Sequence, residues 1–358
     1  FLILAIPNLS NAKDAIKLIT HSPVHNKGLA KDCGTEICAS LLKLIDGANK
    51  TIDFSIYGLR YELLEKNIIL QALVNAGKRG IKVRGVTDKS LRGKNYYTDN
   101  NLVGKNLKFV HDDYKNDPDN GIMHHKFFIV DKKYVWTGSA NISDGGVGGY
   151  DANVVAYVNS PYLAKYYTTE FEQMFTDGNY RKKKKKLKGQ DISFIYDKTK
   201  VSLFFSPHGY TVTKGILPLI KQAEKTIDIW MFLLTHNKIS KALVAAKERG
   251  VKVRLILDAA QTKNGYSKHN YLREKGIDVK VESWGGHMHI KSAVIDKKHI
   301  VLGSMNWTLN SEKKNDENTI VINNSSALAL QLSALFEEMW NPNPDSWINK
   351  IINKIKFY

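Results

Sequence analysis

Two histidine-lysine pairs are the residues of this chain best suited to do chemistry together. His124 and Lys126 open HHKFFIVDKKYVWTGSAN, and His289 and Lys291 open HIKSAVIDKKHIVLGSMN; His125 and Ile290 stand between them. Both stretches fit the pattern H-x-K-x4-D-x6-G-S-x-N, six residue types fixed across 18 positions. With each residue type used at about 5%, one chance match in a chain of this length has odds of roughly one in 10⁵, and two are far rarer. Imidazole titrates at about 6.5, so within one site one ring can be neutral and nucleophilic while the other is protonated and acidic. Such a pair suits a two-step displacement at phosphorus. Attack forms a phosphohistidine, the second imidazole protonates the leaving oxygen, and it then deprotonates the water that resolves the intermediate. Lys126 and Lys291 offer fixed positive charge, and Asn141 and Asn306 amide donors, for the non-bridging oxygens. Acidic clusters that would chelate magnesium for this task are missing from both motifs, so neither a metal nor another cofactor is expected.

These side chains need strands to aim them. FFIV and SAVI read as short buried strands, on which His124 and Lys126 share one face, as do His289 and Lys291. His125 and Ile290 face away, which makes His125 a structural residue. Asp131 and Asp296 fall at the strand exits, where they are expected to fix the turn. Ser139 and Ser304 can either donate to phosphate or cap the next segment.

The strands belong to a duplication. ANKTIDFSIYGL at 48–59 returns as AEKTIDIWMFLL at 223–234, and each copy leads through a helix-like segment to a second β-branched run, IKVRGV or VKVRLIL. Each half therefore reads strand, helix, strand, with strands buried on both faces. From the motif onward the copies keep one offset, 165 (289 − 124), which also relates Asn153 to Asn318 and Phe171 to Phe336. On this alignment nothing is inserted or lost between the copies. The expected division is 1–12 as the remnant of an export signal, 13–179 as the first half, 180–190 as a linker and 191–358 as the second half. The linker run YRKKKKKLKG should be solvated and mobile.

The 358 residues carry 53 Lys and Arg against 35 Asp and Glu, a net charge of +18 that favours polyanionic partners, nucleic acid first and anionic lipid surfaces second. An apolar fraction of 43% excludes general disorder, and no apolar stretch reaches the ~20 residues of a membrane span. FLILAIPNLSNA looks like the end of an export signal, which points to a periplasmic or secreted protein. Cys33 and Cys38 are either one local disulfide or two small core residues. Tyr57, Trp230, Trp284 and Trp307 near strand ends can stack on bases or fill the core.

The paired motifs resemble the signature of the phospholipase D superfamily, and HSP at 21–23 and FFSP at 204–207 look like that family's strand opening each half. The resemblance implies an α/β fold of two similar α-β-α sandwich halves related by a pseudo-twofold, with the active site at their interface. It implies phosphodiester hydrolysis, His124 as nucleophile and His289 as acid. Members carry an acidic or amide residue before the Asn of the later strand, which accepts a hydrogen bond from a catalytic histidine. Glu317 fills this place before Asn318, whereas Ala152 stands before Asn153, with Asp151 one residue earlier. In the related tyrosyl-DNA phosphodiesterases these partners cross between halves, so Glu317 is expected to hold His124. A nuclease is the first reading of the substrate, a phospholipase D or phosphatidyltransferase the second, and an inert binding scaffold the third. Both motifs stand in one chain, so a monomer with an internal pseudo-dimer suffices.

Overall fold

The computed structural model describes residues 15–24, 33–59, 68–88, 106–112, 120–187, 192–196 and 199–342. FLILAIPNLSNA and positions 188–190 of the expected linker lie outside them.

The first half runs β1 (Ala15–His21), α1 (Glu36–Asp46), β2 (Thr51–Ile56), α2 (Ile68–Lys78), β3 (Lys82–Asp88), β4 (Leu107–Asp112), β5 (Lys126–Val130), β6 (Tyr134–Gly138), β7 (Asn153–Asn159) and α3 (Pro161–Phe175). The second runs β8 (Ile192–Tyr196), β9 (Thr199–Ser206), α4 (Leu217–Gln222), β10 (Thr226–Met231), α5 (Asn237–Glu248), β11 (Lys252–Leu257), α6 (Ala259–Thr262), α7 (His269–Glu274), β12 (Asp278–Val281), β13 (Lys291–Ile295), β14 (His299–Gly303), α8 (Leu309–Lys313), β15 (Glu317–Asn323) and α9 (Ser326–Trp340). The sheets have the orders β1-β7-β6-β5-β2-β3-β4 and β12-β11-β10-β13-β14-β15-β9-β8. Reversed, the second order superposes on the first strand for strand, with β8 added at its edge. Parallel pairs β2/β3 and β10/β11 are joined by the crossover helices α2 and α5, and the motif strands β5 and β13 run antiparallel beside β2 and β10.

Because both faces of each sheet are apolar, each must be covered twice. α1 and α2 cover the outer face of the first sheet, and α4, α5 and α7 that of the second. The inner faces share one core that holds α3 and α9, with Tyr167, Phe171 and Phe336 wholly buried between the sheets. A repeated ion-pair set fastens these inner helices: Arg84 binds Asp53 (2.7 Å) and Glu172 (2.7 Å), and Arg254 binds Asp228 (2.8 Å) and Glu337 (2.6 Å).

Asp131 and Asp296 sit at left-handed positions (φ 52° and 51°) directly after β5 and β13. Asp131 accepts the backbone N–H groups of Asn49, Lys50 and Thr51 at 2.7–3.0 Å, and Asp296 those of Glu224, Lys225 and Thr226 at 2.8–3.0 Å. Each carboxylate staples its motif strand to the start of its neighbour, at the opposite end of the strand from the histidine-lysine pair. Cys33 and Cys38 form a disulfide at the start of α1.

The basic run departs from the expectation of a solvated, mobile segment. Arg181 and Lys184 are buried, whereas Lys182, Lys183, Lys185 and Lys186 are exposed. Arg181 pairs with Asp112, and Lys184 pairs with Glu170 of the first half and with Asp316 of the second, the latter at 2.6 Å. A 3-10 turn at Arg181–Lys183 turns these two side chains inward while the others stay in water. Charge counting along the sequence misses this, because the compensating carboxylates are brought in by the fold.

Candidate active site

The two motif strands start at the seam between the halves. Each is tied across it by a backbone bridge, Met123 to Asp316 and Ala152 to Met288, and His124 N–H donates to the Asp316 carbonyl at 2.9 Å. The bridges place β15 behind His124 and β7 behind His289. His124 Nδ1 lies 2.7 Å from Glu317 Oε2, and His289 Nδ1 lies 3.2 Å from Asn153 Oδ1. Each imidazole is thus held at Nδ1 by an acceptor from the opposite half, which leaves both Nε2 atoms for a ligand. Serines complete the cross-links: Ser304 Oγ donates to Glu317 Oε2 at 2.6 Å and Ser139 Oγ to Asn153 Oδ1 at 2.8 Å. Ser139 and Ser304 therefore support the imidazole holders, and also accept the N–H groups of Val154 and Asn318.

The lysines repeat this symmetry. Lys126 Nζ donates to its own motif's His124 carbonyl at 2.9 Å, and Lys291 Nζ to the His289 carbonyl at 2.7 Å. Each ammonium lies over an aromatic ring, Tyr57 at 5.2 Å and Phe232 at 4.7 Å, and the same rings meet His124 and His289 edge to face. Asn141 Oδ1 accepts from Gly58 N–H at 3.3 Å, and Asn306 Oδ1 is buried with no hydrogen-bond partner among the described residues.

Burial dominates the electrostatics. It drives His124 and His289 well below the usual imidazole value, helped by the facing Lys126 and Lys291. Lys126 is pushed down to about 7 by burial, and Lys291 well below the ordinary amine range by burial and by Lys126. Glu317 rises to about 7 through burial, with Lys126 pulling it back. Two imidazoles and two amines facing one another destabilise their own charged forms, which favours a neutral His124 and makes the pocket one that an anion would relieve.

The family described as "Cardiolipin synthase, PLD-like domain" matches residues 41–175 and 216–340, most of the chain. The chain belongs to this PLD-like family. A protein named phospholipase D from Rickettsia prowazekii is 38% identical over 125 residues, 35% of this chain and 60% of the relative. A human protein named mitochondrial cardiolipin hydrolase is 30% identical over 142 residues, 39% of this chain and 56% of that protein. These matches thus span less than two thirds of either relative's length. The phosphatidylserine synthase structure from Haemophilus influenzae aligns over 89% of this chain and 84% of its own, with a TM-score of 0.63 at 15% identity, which shows a shared fold.

The structure brings His124, Lys126, His289, Lys291, Ser139, Ser304, Asn153, Asn318 and Glu317 together at the seam, with Asn141 and Asn306 in the loops after β6 and β14, whereas Asp131 and Asp296 lie at the far ends of the motif strands. It corrects one alignment. The counterpart of Glu317 is Asn153, and Ala152 instead matches Asp316, because Ala152 and Asp316 occupy equivalent bridges and Ser139 and Ser304 bind Asn153 and Glu317. The offset falls to 164 (317 − 153) along β7 and β15 and returns to 165 at α3 and α9, so one residue is lost before the strand and regained after it. A constant offset hid this pair of compensating changes. Asp151, the other suspected partner, accepts from His287 N–H at 2.8 Å. Asn318, lying one place beyond Glu317, binds His125 and Thr137, not a catalytic imidazole. His125 itself is wholly buried between Asn318 and Glu170.

Of the aromatics, Trp230, Trp284 and Trp307 are buried core residues, and Tyr57 alone reaches the site. Sequence reasoning missed Phe232 and His287. His287 Nδ1 meets Asp258 Oδ2 at 3.0 Å, its side chain is 48% exposed, and that hydrogen bond raises it above the usual imidazole value. The available signal was the H-x-H spacing of His287 and His289, which puts both on one strand face.

The Glu317–Asn153 difference yields a direct test. Glu317→Gln makes both half-sites amides, and turnover is expected to fall about 10- to 100-fold, as for other partners that orient a reacting imidazole. The titration near neutrality contributed by Glu317 should vanish from the pH profile of kcat. An unchanged profile would show that Glu317 only packs.

Proposed function

We propose that the chain is a phosphodiesterase that cleaves nucleic acid through a phosphohistidine on His124. The observation that carries this reading is the pair of buried imidazoles at one seam, each held at Nδ1 from the opposite half and backed by a lysine. The His124 Nε2 lone pair attacks phosphorus, the P–O bond to the leaving group breaks, and His289 gives that oxygen its proton. Water then attacks the same phosphorus, His289 takes the water's proton, and the P–N bond breaks to return free His124. Forming the P–N bond puts positive charge on the imidazole, which the Glu317 carboxylate stabilises. His289 has the neutral Asn153 amide instead, so its imidazolium is the stronger acid. Lys126, Lys291, Asn141 and Asn306 hold the non-bridging oxygens in this reading. The step needs no metal, since these four groups supply the positive charge and donors.

Nucleic acid as substrate is supported by the net charge of +18 and by a surface whose exposed large hydrophobic residues, among those described, are Tyr150, Tyr162, Tyr210, Tyr266, Leu309 and Leu330, mostly tyrosine. Among the described residues, no helix is long and apolar enough to cross a membrane. Both imidazole-lysine pairs lie in one chain, which supports a monomer as the working unit. The Cys33–Cys38 disulfide supports an oxidising compartment. The names of the relatives favour a second reading, hydrolysis or transfer of a phospholipid headgroup.

The test is a substrate panel with chelator present: single- and double-stranded DNA, RNA, and vesicles of phosphatidylcholine, phosphatidylethanolamine and cardiolipin. Cleavage of nucleic acid that survives chelation is the expected result. Headgroup release with intact nucleic acid selects the second reading, and activity lost to chelator overturns the metal-free step.

A further inference from the structure

Tyr210 is 43% exposed and follows β9, its backbone in the left-handed region (φ 53°). Three ammonium groups converge on its ring: Lys186 at 5.2 Å, Lys313 at 5.6 Å and Lys214 at 5.8 Å from the centroid. They come from separate places, the basic run between the halves, the C-terminal end of α8, and the turn at Thr211–Ile216, and all three are exposed. One carboxylate, Glu312, lies 3.6 Å from Lys313, and its other oxygen is held by His236 at 3.1 Å. Like charges gathered around one open ring repel each other, and an exposed cation-π contact offsets only a small part of that repulsion. An anion among them removes the repulsion, and the ring face offers a base a place to stack.

The patch adjoins the reaction site. Lys184, two residues before Lys186, pairs with Asp316, whose carbonyl receives the His124 N–H, and Lys313 lies four residues before Glu317. Tyr210 and its lysines therefore sit on the His124 side of the seam, on ground fixed by the buried ion pairs of the basic run.

We propose that Tyr210, Lys186, Lys214 and Lys313 form a subsite for single-stranded nucleic acid, with one base stacked on the tyrosine and the flanking phosphates held by the three lysines. This rests on the nucleic-acid reading of the active site and extends it from the scissile phosphate to the neighbouring strand. The subsite binds without sequence preference, since every base has a face to stack and the lysines meet only the backbone.

The experiment measures binding of a fluorescein-labelled DNA single strand of about 15 nucleotides, a length that covers an ordinary single-strand site, to the full chain carrying His124→Ala, which blocks cleavage. Tyr210→Ala added to that background should weaken binding about tenfold, and Tyr210→Phe should not, because stacking needs the ring and not the hydroxyl. Lys186→Gln, Lys214→Gln and Lys313→Gln together should lower the slope of log affinity against log salt by about 2, three phosphate contacts at ~0.7 each. With His124 restored, all variants should cleave bis(p-nitrophenyl) phosphate within about twofold of the parent, since the patch makes no contact with the scissile phosphate. DNA binding by the parent that neither set of substitutions alters overturns the subsite and leaves the nuclease reading intact. Loss of binding to cardiolipin vesicles with DNA binding unchanged reassigns the patch to lipid and overturns it equally. A parent chain that releases headgroups and neither binds nor cleaves DNA overturns the nuclease reading and the subsite together.

Discussion

His124→Ala should reduce turnover by at least about 10⁴-fold while leaving substrate affinity nearly unchanged, because it removes the atom that forms the covalent intermediate. His289→Ala should also be severe, but the two losses differ in kind. Without His289 the nucleophile remains, so a substrate whose leaving group needs no proton, such as a p-nitrophenyl diester, still phosphorylates His124 and then stalls, with water lacking its base. His289→Ala quenched in alkaline denaturant, which preserves the acid-labile P–N bond, should thus carry the phosphoryl label on His124. The asymmetry rests on the Nδ1 partners, a carboxylate at 2.7 Å for His124 and a neutral amide at 3.2 Å for His289. Label recovered on His289 from the parent enzyme would exchange the two roles, and label on neither would remove the covalent step.

Lys184→Met should cost about 3–5 kcal/mol of stability, the usual penalty for removing one member of a buried charge cluster. Its ammonium lies between the Glu170 and Asp316 carboxylates, all three nearly inaccessible, and also donates to the Ser206 carbonyl at 3.2 Å. Despite burial, these partners raise Lys184 above its ordinary value and hold Glu170 below its own. Glu170's depressed value means its contribution is present at neutral pH and fades as pH falls through that value; the raised Lys184 contribution fades only above the ordinary amine range. In the variant the deficit should shrink toward acidic pH, where a carboxyl that takes up a proton no longer leaves an unpaired charge. Urea unfolding measures both effects, with exposed Lys182→Met as the control, expected within about 0.5 kcal/mol of the parent. Equal midpoints for the two variants would place Lys184 in water.

Much of the site was legible because strand periodicity carries it. In H-x-K the alternation of side chains puts His124 beside Lys126 and turns His125 into the core, where it meets Asn318 and Glu170. The crossing of Glu317 to His124 came from family resemblance, and its distance agrees. The counterpart Asn153 was misread because a one-residue loss before β7 and β15 is compensated after them, and only the bridges of Ala152 and Asp316 reveal the register. The tryptophans at strand ends became core, while the exposed ring among lysines proved to be Tyr210, whose neighbours come from three distant stretches.

By itself, then, the sequence determined which side chains share a strand face and that the unit occurs twice, since these follow from local periodicity and repetition; that the two imidazoles and two lysines meet at one interface was what the family resemblance implied. Only the tertiary structure decided that Arg181 and Lys184 of a basic run would be buried, that Asn153 holds His289, and that three scattered lysines surround one tyrosine. Each of these depends on a partner far away in the chain, and charge or burial is set by that partner, not by neighbours in sequence.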